Sequence, residues 1–444
     1  MLKYIDIKNH LSQQQCDKLG DITDWITQGP NPTFVDYVDI PCLTGRNISN
    51  GRVTYDNADY VSADTYAEYA RFQLHTNDTL ITLKGKGSIG KIGFVTTDKQ
   101  AIFSRNIGVV RPNTNIDAAY LNAYILSYYG QNMVLRGETG GTGQSTLTCT
   151  YIKSLDIPRF NIEKQIGDLI RLSESVLTQA NDCYKEAEQY LCDLLKINKL
   201  ILPEDNTSIV LASQSFAKTH RLDAEYYQPK YEILKDYLKA TKFGYRKLSE
   251  IATTYRGDLI SDELYCDNTM RPAYIRGADI SSNILLPDKC VYIDDSFVPN
   301  KEFKCQLNDI VFAMIGSVGT LARVTEEFVG AFVSNNLGII RINKGYNICA
   351  EYLHILLTSQ KIGKLLFEQK EMRTAQPKIS DSDIWDFIVP TIPYEEQLVI
   401  KEFVANSFAL RNESNRLLEL AKTAVEIAIE QGEDKAMELL TQNM

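Results

Sequence analysis

The sequence has few of the residues from which metal centres and disulfide frameworks are built. Its four histidines, His10, His75, His220 and His354, lie far apart and show no metal-ligand spacing. Its nine cysteines include no CxxC pair, and an odd number of cysteines fits reduced thiols better than a set of disulfides. We therefore expect no metal ligands and no disulfide scaffold in this chain.

Long apolar runs are missing as well. The first ten residues, MLKYIDIKNH, contain no apolar signal core, and no stretch approaches the roughly 18 apolar residues of a membrane span. We expect an intracellular chain with no membrane partner.

The net charge of −10 is unevenly distributed along the chain. Residues 1–160 carry 15 basic and 15 acidic residues, whereas residues 391–444 carry 5 basic and 10 acidic ones. A domain close to neutral can still present one basic face, so the total charge does not decide whether the protein binds nucleic acid.

What the sequence does contain is a long internal repeat. The segment AIFSRNIGVVRPN at 101–113 returns as AFVSNNLGIIRIN at 331–343, with six of the 13 positions identical. The flanking segments agree as well: KLGDI at 18–22 matches KLSEI at 247–251, and GSIG at 87–90 matches GSVG at 316–319. Solenoid repeats are only about 20–50 residues long. The chain is therefore a duplicated domain pair, which predicts one activity performed twice.

Two segments show the heptad spacing of long helices. From Ile162 to Ile197, positions that step alternately by four and three are apolar or aromatic in ten cases of eleven. Such a helix would be about 54 Å long. A looser pattern with two polar interruptions runs from Val399 to Ile427. The alternatives are that each helix packs on its own domain or that the two helices pack on each other, and we favour the second.

The remaining segments are mixed α and β. Short β-rich runs separated by glycine precede a helical stretch in each half, at 118–135 and at 350–367. A polar loop follows the helix, GETGGTGQS at 137–145 and RTAQPK at 373–378.

The order of these features resembles the specificity subunit of type I restriction–modification systems. The resemblance rests on the paired KLGDI and KLSEI segments, the GSIGK-like turns, a Gln-bearing loop before an Ile-Pro or Val-Pro step, and RLDAEYYQPKY at 221–231. It implies a non-catalytic subunit that reads double-stranded DNA and docks two methyltransferase subunits, in a bacterial or archaeal cytoplasm. Two ATP-dependent restriction subunits complete the restriction enzyme in that family. S-adenosylmethionine, ATP and magnesium are then expected on those partners, with no cofactor in this chain.

The resemblance implies an α+β fold with two target recognition domains, a pair of long antiparallel coiled-coil helices and a pseudo-two-fold internal repeat. The predicted boundaries are recognition domain 1 at 1–160, first helix 161–201, linker 202–230, recognition domain 2 at 231–392, second helix 393–432 and a C-terminal tail 433–444. A rod of about 54 Å would hold the two domains about one to two DNA turns apart. The halves diverge most at about 47–76 and 279–307, which predicts an asymmetric, bipartite target.

Candidate DNA contacts surround the glycine turns and the polar loops. Long cations on a glycine turn can reach phosphates, and Gln can pair bidentately with adenine. The candidates in the first half are Lys84, Lys86, Ser88, Lys91, Arg105, Thr142, Gln144 and Ser145, and those in the second are Ser317, Arg323, Gln376 and Lys378. Because Gln144 and Gln376 persist in both halves, they are at least as well explained as structural turn residues. The non-repeated Arg46, Arg52, Arg276 and Asn335 are better candidates for reading bases.

Three segments come close to enzyme motifs. GKGSIGK at 85–91 resembles a phosphate-binding loop, but Ile92 stands where that motif needs Ser or Thr. Pro287, Asp288, Glu302 and Lys304 match only a sparse metal-nuclease pattern, and NPTF at 31–34 lacks the second proline of the amino-methyltransferase tetrapeptide. The remaining alternatives are the specificity subunit of a methylation-only or nuclease-fused system, a self-contained modification or restriction enzyme, and a coiled-coil scaffold without a DNA role.

Overall fold

Each half of the chain contributes to a unit that combines several β-sheets with helices. Contacts between residues divide the computed structural model into unit 1, Met1–Ala180 with Ala409–Met444, and unit 2, Asn181–Phe408. Apart from the side chains of residues 2, 3 and 218, the structure describes residues 2–56, 58–85, 88–140, 145–203, 207–213, 215–266, 268–287, 290–294, 304–372 and 376–443.

Several helices begin at a polar side chain that accepts hydrogen bonds from the first turn. Asp117 accepts from the N–H groups of Ala119 and Tyr120, and the Ser127 hydroxyl accepts from Gly130. The described helices are α1 (Leu2–Ser12), α2 (Ala63–Glu68), α3 (Ala118–Leu126), α4 (Tyr128–Arg136), α5 (Cys149–Lys153), α6 (Glu163–Leu194), α7 (Phe216–Thr219), α8 (Pro229–Lys239), α9 (Leu248–Ile251), α10 (Ala350–Thr358), α11 (Gly363–Lys370), α12 (Tyr394–Gln431) and α13 (Glu433–Asn443).

Unit 1 is built around a mixed sheet with the order β2-β10-β7-β8-β5-β4. Its strands are short and rich in β-branched and aromatic residues, as strand propensity favours. A second sheet has the order β6-β3-β9, and β1 pairs antiparallel with β11. The strands are β1 (Cys16–Lys18), β2 (Thr23–Gln28), β3 (Ile40–Leu43), β4 (Ile48–Ser49), β5 (Gly51–Val53), β6 (Asp59–Val61), β7 (Thr79–Thr82), β8 (Ile92–Phe94), β9 (Ile102–Phe103), β10 (Ile107–Pro112) and β11 (Asp156–Pro158).

Unit 2 repeats this topology. The order β13-β22-β19-β20 corresponds to β2-β10-β7-β8, and the parallel pair of β15 with β21 corresponds to that of β3 with β9. The strands are β12 (Tyr245–Lys247), β13 (Ala252–Arg256), β14 (Tyr265–Cys266), β15 (Ala273–Ile275), β16 (Ile280–Ser281), β17 (Ile284–Leu285), β18 (Val291–Ile293), β19 (Ile310–Ala313), β20 (Leu321–Arg323), β21 (Phe332–Val333), β22 (Leu337–Ile342) and β23 (Ile388–Pro390).

Helix α3 lies in the core of unit 1, and α10 lies in the core of unit 2. The residues 119–125 and 350–357 are buried throughout. Burying each large apolar side chain contributes about 1.5–3 kcal/mol. The Tyr120 hydroxyl donates to the carbonyl of Pro158 at 2.5 Å, and Tyr352 donates to Pro390 at 2.5 Å. The same tyrosine therefore ties the core helix to the last strand in both units.

The two long helices run antiparallel in unit 1. The N–H of Asn161, just before α6, donates to Glu433, just after α12, at 2.8 Å. Further along, the hydroxyl of Ser173 donates to the carbonyl of Ser414 at 2.8 Å. Residue numbers therefore rise along one helix as they fall along the other. In unit 2, Tyr190 of α6 donates a hydrogen bond to Glu396 of α12.

The predicted fold class is confirmed by these elements: the fold is α+β, with mixed α/β domains, a pair of long helices and an internal repeat. The first long helix ends earlier than expected, because Lys196 adopts a left-handed φ of 56° and a 3-10 turn follows at Ile197–Lys199. The segment predicted as a tail contains α13, whose Ala436 and Leu440 are buried in the core of unit 1. The segment predicted as a linker contains α7 and Arg221, which donates to the carbonyl of Lys370 at 2.7 Å.

Candidate nucleic-acid interface

In unit 1, the end of β2 meets the turn between β9 and β10. The N–H of Gly29 donates to the carbonyl of Ile107 at 3.0 Å. A Cβ atom at Gly29 would lie 2.4 Å from the Ser104 carbonyl oxygen, so only glycine allows the two backbones to approach this closely. The close approach brings Gln28 over the turn, and its Nε2 donates to the carbonyl of Arg105 at 2.5 Å.

Two further loops join this turn in unit 1. The N–H of Leu83, just after β7, donates to the carbonyl of Asn106 at 2.7 Å, and Leu147 N–H donates to the carbonyl of Leu83 at 2.9 Å. Lys84 and Thr146 form a β-bridge beside them. The strand end, the β9–β10 turn, the glycine turn and the polar loop therefore form one cluster, which we call the unit 1 loop cluster (Gln28, 84–85, 104–107 and 145–147).

Unit 2 contains the same arrangement. Gly257 N–H donates to the carbonyl of Leu337 at 3.1 Å, and a Cβ atom there would lie 2.2 Å from the Ser334 carbonyl oxygen. The Nε of Arg256 donates to the carbonyl of Asn335 at 3.2 Å. The N–H of Met314 donates to the carbonyl of Asn336 at 2.8 Å, and the N–H of Ile379 donates to the carbonyl of Met314 at 2.8 Å. Ile315 and Lys378 form a β-bridge beside them. We call this set the unit 2 loop cluster (Arg256, 314–316, 334–337 and 376–379).

The structure brings five of the predicted contacts in the first half into or beside the unit 1 loop cluster. Lys84 and Ser145 are partly exposed and Arg105 is exposed. Ser88 closes the glycine turn, its N–H donating to Gly85 at 3.1 Å, and the carbonyl of Lys91 accepts from Thr82 at 2.9 Å. The candidates Lys86, Thr142 and Gln144 lie outside the described residues.

Four predicted contacts lie at or beside the unit 2 loop cluster. Ser317 is exposed on the glycine turn, and its carbonyl accepts from Thr320 at 3.1 Å. Asn335 is partly exposed, whereas Gln376 and Lys378 are exposed. Lys378 exchanges backbone hydrogen bonds with Met372 at 2.9 and 3.3 Å, which fixes the backbone of Lys378.

Arg46 and Arg276 lie outside the two loop clusters, at equivalent 3-10 turns. Arg46 forms an ion pair with Asp59, and Arg276 contacts both carboxylate oxygens of Asp279 at 3.2 Å. Buried Asn47 and Asp279 each accept a backbone hydrogen bond that closes the turn. The charges of both arginines are thus balanced within the chain.

Arg52 has a structural role, which its sequence position did not indicate. Its side chain is only 17% exposed and forms an ion pair with Glu174 at 3.3 Å. Its two terminal nitrogens also donate to Ser173 Oγ at 3.2 Å, Ser414 Oγ at 2.6 Å and Asn415 Oδ1 at 2.8 Å. With its donors engaged by α6 and α12, Arg52 fixes strand β5 to the helix pair rather than facing a ligand.

Arg323 is likewise built into the interior of unit 2. Its side chain is 11% exposed, 3.6 Å from Glu351 and 5.1 Å from the centre of the Phe408 ring. Its Nη1 donates to Asn308 Oδ1 at 2.7 Å. Burial, with a smaller contribution from Arg323, lowers the pKa of the neighbouring His354 to about 3. We therefore assign Arg323 to packing as well.

Gln28, which is partly exposed, and Arg256, which is exposed, are features of the clusters that the sequence did not predict. Both residues end the first strand of the central sheet and precede a glycine, in TQG at 27–29 and YRG at 255–257. The shared glycine was the signal in the sequence that could have pointed to these two positions. The contact with the turn, however, depends on backbone atoms 77 and 79 residues further along the chain.

Within the described ranges, no group of three or more His, Cys, Asp or Glu residues could hold a metal ion. No described helix combines the length and the apolar character needed to cross a membrane. Asp288 and Glu302, from the sparse nuclease-like pattern, lie outside the described residues.

Two repeated mixed α/β units, each carrying the same loop cluster and a segment of each long helix, define a duplicated two-domain protein. Residues 241–421, somewhat less than half of the chain, match the family model described as Type I restriction modification DNA specificity domain. The resemblance of the chain to type I specificity subunits is thereby confirmed.

The chain is also similar to individual relatives. It is 24% identical over 157 residues to the type I restriction enzyme EcoBI specificity subunit of Escherichia coli, an alignment that spans 35% of this chain and 32% of that protein. The chain thus matches about a third of the relative's length.

Two solved structures are similar over most of the chain. The type I S subunit from M. genitalium is 12% identical, with 96% of this chain and 95% of that chain covered and a TM-score of 0.36. The HsdS subunit from Thermoanaerobacter tengcongensis is 13% identical, with 94% and 97% covered and a TM-score of 0.29.

Proposed function

We propose that this chain is the DNA sequence-specificity subunit of a type I restriction–modification complex, and that each unit reads one half of an asymmetric, bipartite target. One observation carries the proposal. The two loop clusters share their backbone hydrogen bonds but present different side chains, with Lys84 and Arg105 in unit 1 and Ile315 and Asn335 at the matching places in unit 2. A common scaffold with different exposed side chains fits two readers of two different sequences.

The charge of the unit 1 loop cluster supports contact with DNA. Lys84 and Arg105 have no carboxylate partner in the part of the chain that the structure describes, in contrast to Arg46, Arg52 and Arg111. Unpaired cations on loops can neutralise phosphates and release counterions, which supplies most of the sequence-independent affinity for DNA. The glycine turn at Gly85 also lets a phosphate approach the backbone closely.

The proposal places catalysis on partner subunits. Methyltransferase subunits that use S-adenosylmethionine would dock on α6 and α12, and restriction subunits that use ATP and magnesium would complete the enzyme in a bacterial or archaeal cytoplasm. The match of residues 241–421 to a DNA specificity domain, rather than to a catalytic family, supports this division.

Co-expression with the methyltransferase subunits of the same system, followed by mapping of methylated adenines, tests the proposal. The expected result is methylation within a split motif of two unlike halves. Methylation confined to one continuous motif, or no methylation above that of the methyltransferase alone, would contradict it.

Retention of the complex on DNA separates a DNA reader from a protein scaffold. A reader should be retained on its target in a salt-sensitive, sequence-specific manner. A coiled-coil scaffold would bind its protein partners and show no preference among DNA sequences.

A further inference from the structure

Gln28 in unit 1 and Arg256 in unit 2 occupy equivalent places with different side chains. Each residue ends the first strand of its central sheet and precedes the glycine that brings the strand against a turn. Each side chain then donates one hydrogen bond to the carbonyl of the residue at the tip of that turn, Arg105 at 2.5 Å or Asn335 at 3.2 Å. Each of these hydrogen bonds thus joins one arginine and one carboxamide residue, Gln28 with Arg105 and Arg256 with Asn335, and their order is reversed between the units.

The hydrogen bond to the turn leaves each side chain able to read a base. Gln28 uses one Nε2–H and keeps the second N–H together with Oε1, which is the donor and acceptor set that pairs with adenine in the major groove. Arg256 uses its Nε–H and keeps the four N–H groups of its two terminal nitrogens, which match the N7 and O6 acceptors of guanine. The intrachain bond therefore costs neither residue its bidentate set.

The same hydrogen bond orients the side chains before any ligand arrives. A free glutamine or arginine loses rotamer freedom when it is ordered on a partner, and prior ordering reduces that loss. Arg256 is exposed, and no carboxylate in the described part of unit 2 forms an ion pair with it, whereas Arg276 and Arg341 pair with Asp279 and Asp309. Its charge is consequently available to an external acceptor.

We propose that Gln28 and Arg256 are equivalent specificity-determining residues, with Gln28 reading an adenine in one half-site and Arg256 a guanine in the other. The inference rests on the proposed function, because it names the bases that two particular residues of the DNA reader recognise. It leaves the remaining bases of the target to other residues of the clusters.

The test is Arg256→Gln in the complex reconstituted with its methyltransferase subunits, measured by binding to duplexes randomised at each target position. The variant places in unit 2 the side chain that unit 1 already holds at this site, so the hydrogen bond to Asn335 can be retained. We expect the preference for guanine at one position to fall by about 5- to 150-fold and a preference for adenine to replace it. The other half-site should be unchanged.

Gln28→Arg is the reciprocal variant, and it should exchange adenine for guanine at one position of the other half-site. Arg256→Met should lose the guanine preference without gaining one for adenine. Two variants serve as matched controls. Arg246→Gln removes an arginine of β12 that is paired with Glu250 of α9. Gln13→Arg adds a charge at an exposed position of unit 1. Neither control should alter the preference at any position.

The outcomes distinguish the inference from the function on which it rests. If the wild-type complex shows sequence preference, but Arg256→Gln changes no position or weakens all sequences equally, the inference is wrong and the proposed function stands. Uniform weakening would identify a phosphate contact instead. If the wild-type complex prefers no sequence at all, the proposed function fails and the inference fails with it.

Discussion

Arg52 and Ser414 are joined by a hydrogen bond of 2.6 Å between Nη2 and Oγ. The same guanidinium contacts Ser173 and Glu174, so one arginine on a short strand holds two helices that are far apart in the sequence. Burial raises the pKa of Glu174, which the attraction of Arg52 opposes. The carboxylate thus depends on Arg52 for compensation of its lost hydration.

We expect Arg52→Ala to lower the free energy of unfolding by about 3 kcal/mol, because it leaves Glu174 without its partner and removes a donor to each of the buried Ser173 and Ser414 hydroxyls. Urea unfolding of the purified chain measures the loss. Arg46→Ala is the matched control, since its pair with Asp59 is mostly exposed and should cost less than about 1 kcal/mol. Equal losses in the two variants would contradict the structural role assigned to Arg52.

His354 predicts a pH dependence of stability. It is fully buried, neither ring nitrogen has a hydrogen-bond partner among the described residues, and its pKa is lowered to about 3. Because the folded state disfavours protonation, stability is fully present above the unfolded pKa near 6.5 and falls as the pH drops towards 3. The slope contributed by this residue is about 1.4 kcal/mol per pH unit below 6.5.

The variant His354→Leu removes that titration. We expect its free energy of unfolding to fall less between pH 7 and pH 5 than that of the wild type, by about 1–2 kcal/mol. Urea unfolding at the two pH values provides the comparison, and His10→Leu, at a partly exposed histidine of α1, serves as the control. A wild-type and a His354→Leu chain with the same pH dependence would show that His354 does not titrate as proposed.

Much of the fold could be predicted because the repeat preserves the residues that hold each unit together. Tyr120 and Tyr352 make the same hydrogen bond, and Arg111 and Arg341 make the same paired contacts with Asp78 and Asp309. These residues are identical in the two halves since each unit needs the same internal partners. The residues that are identical in the two halves thus predicted the internal contacts that hold each unit together.

The site was harder to predict, because an arginine in a structural ion pair and an arginine facing solvent look alike in a sequence. Arg52 and Arg105 are both unmatched in the repeat, yet only Arg105 is exposed. The partner that decides the role of Arg52 is Glu174, 122 residues away. Long-range contacts of this kind are fixed by the topology of the sheet and the helices, which local spacing does not reveal.

Asp117 gives a second prediction of acid sensitivity, in unit 1. Burial acts to raise its pKa, but hydrogen bonds from Arg171 and from the backbone of Tyr120 and Ala119 outweigh burial and lower the pKa below 3.8. The carboxylate therefore contributes stability that is present above 3.8 and lost as the pH falls through its folded pKa.

Asp117→Asn keeps a side-chain oxygen at the start of α3 but removes the charge. We expect a loss of about 1 kcal/mol at pH 7 and a smaller difference from the wild type under acid conditions. Unfolding by urea at pH 7 and near pH 3 measures both, with Asp168→Asn, the other and more exposed partner of Arg171, as the control. A difference that is the same at both pH values would contradict a role for the charge.

Lys84 provides the test of phosphate contact in the unit 1 loop cluster. Its backbone is held by the bridge to Thr146, and its side chain has no carboxylate partner in the described ranges. A lysine that contacts a phosphate carries no sequence information, so Lys84→Gln should weaken binding to all duplexes to a similar extent. The slope of log K against log salt should fall in magnitude by about 1, since about one counterion fewer is released. Filter binding by the reconstituted complex over a series of salt concentrations supplies both numbers, and Lys8→Gln, at an exposed position of α1, is the control for the lost charge. An unchanged slope in Lys84→Gln, or a change in base preference instead, would remove Lys84 from the phosphate-contacting surface and leave Arg105 as the cation of that cluster to test next.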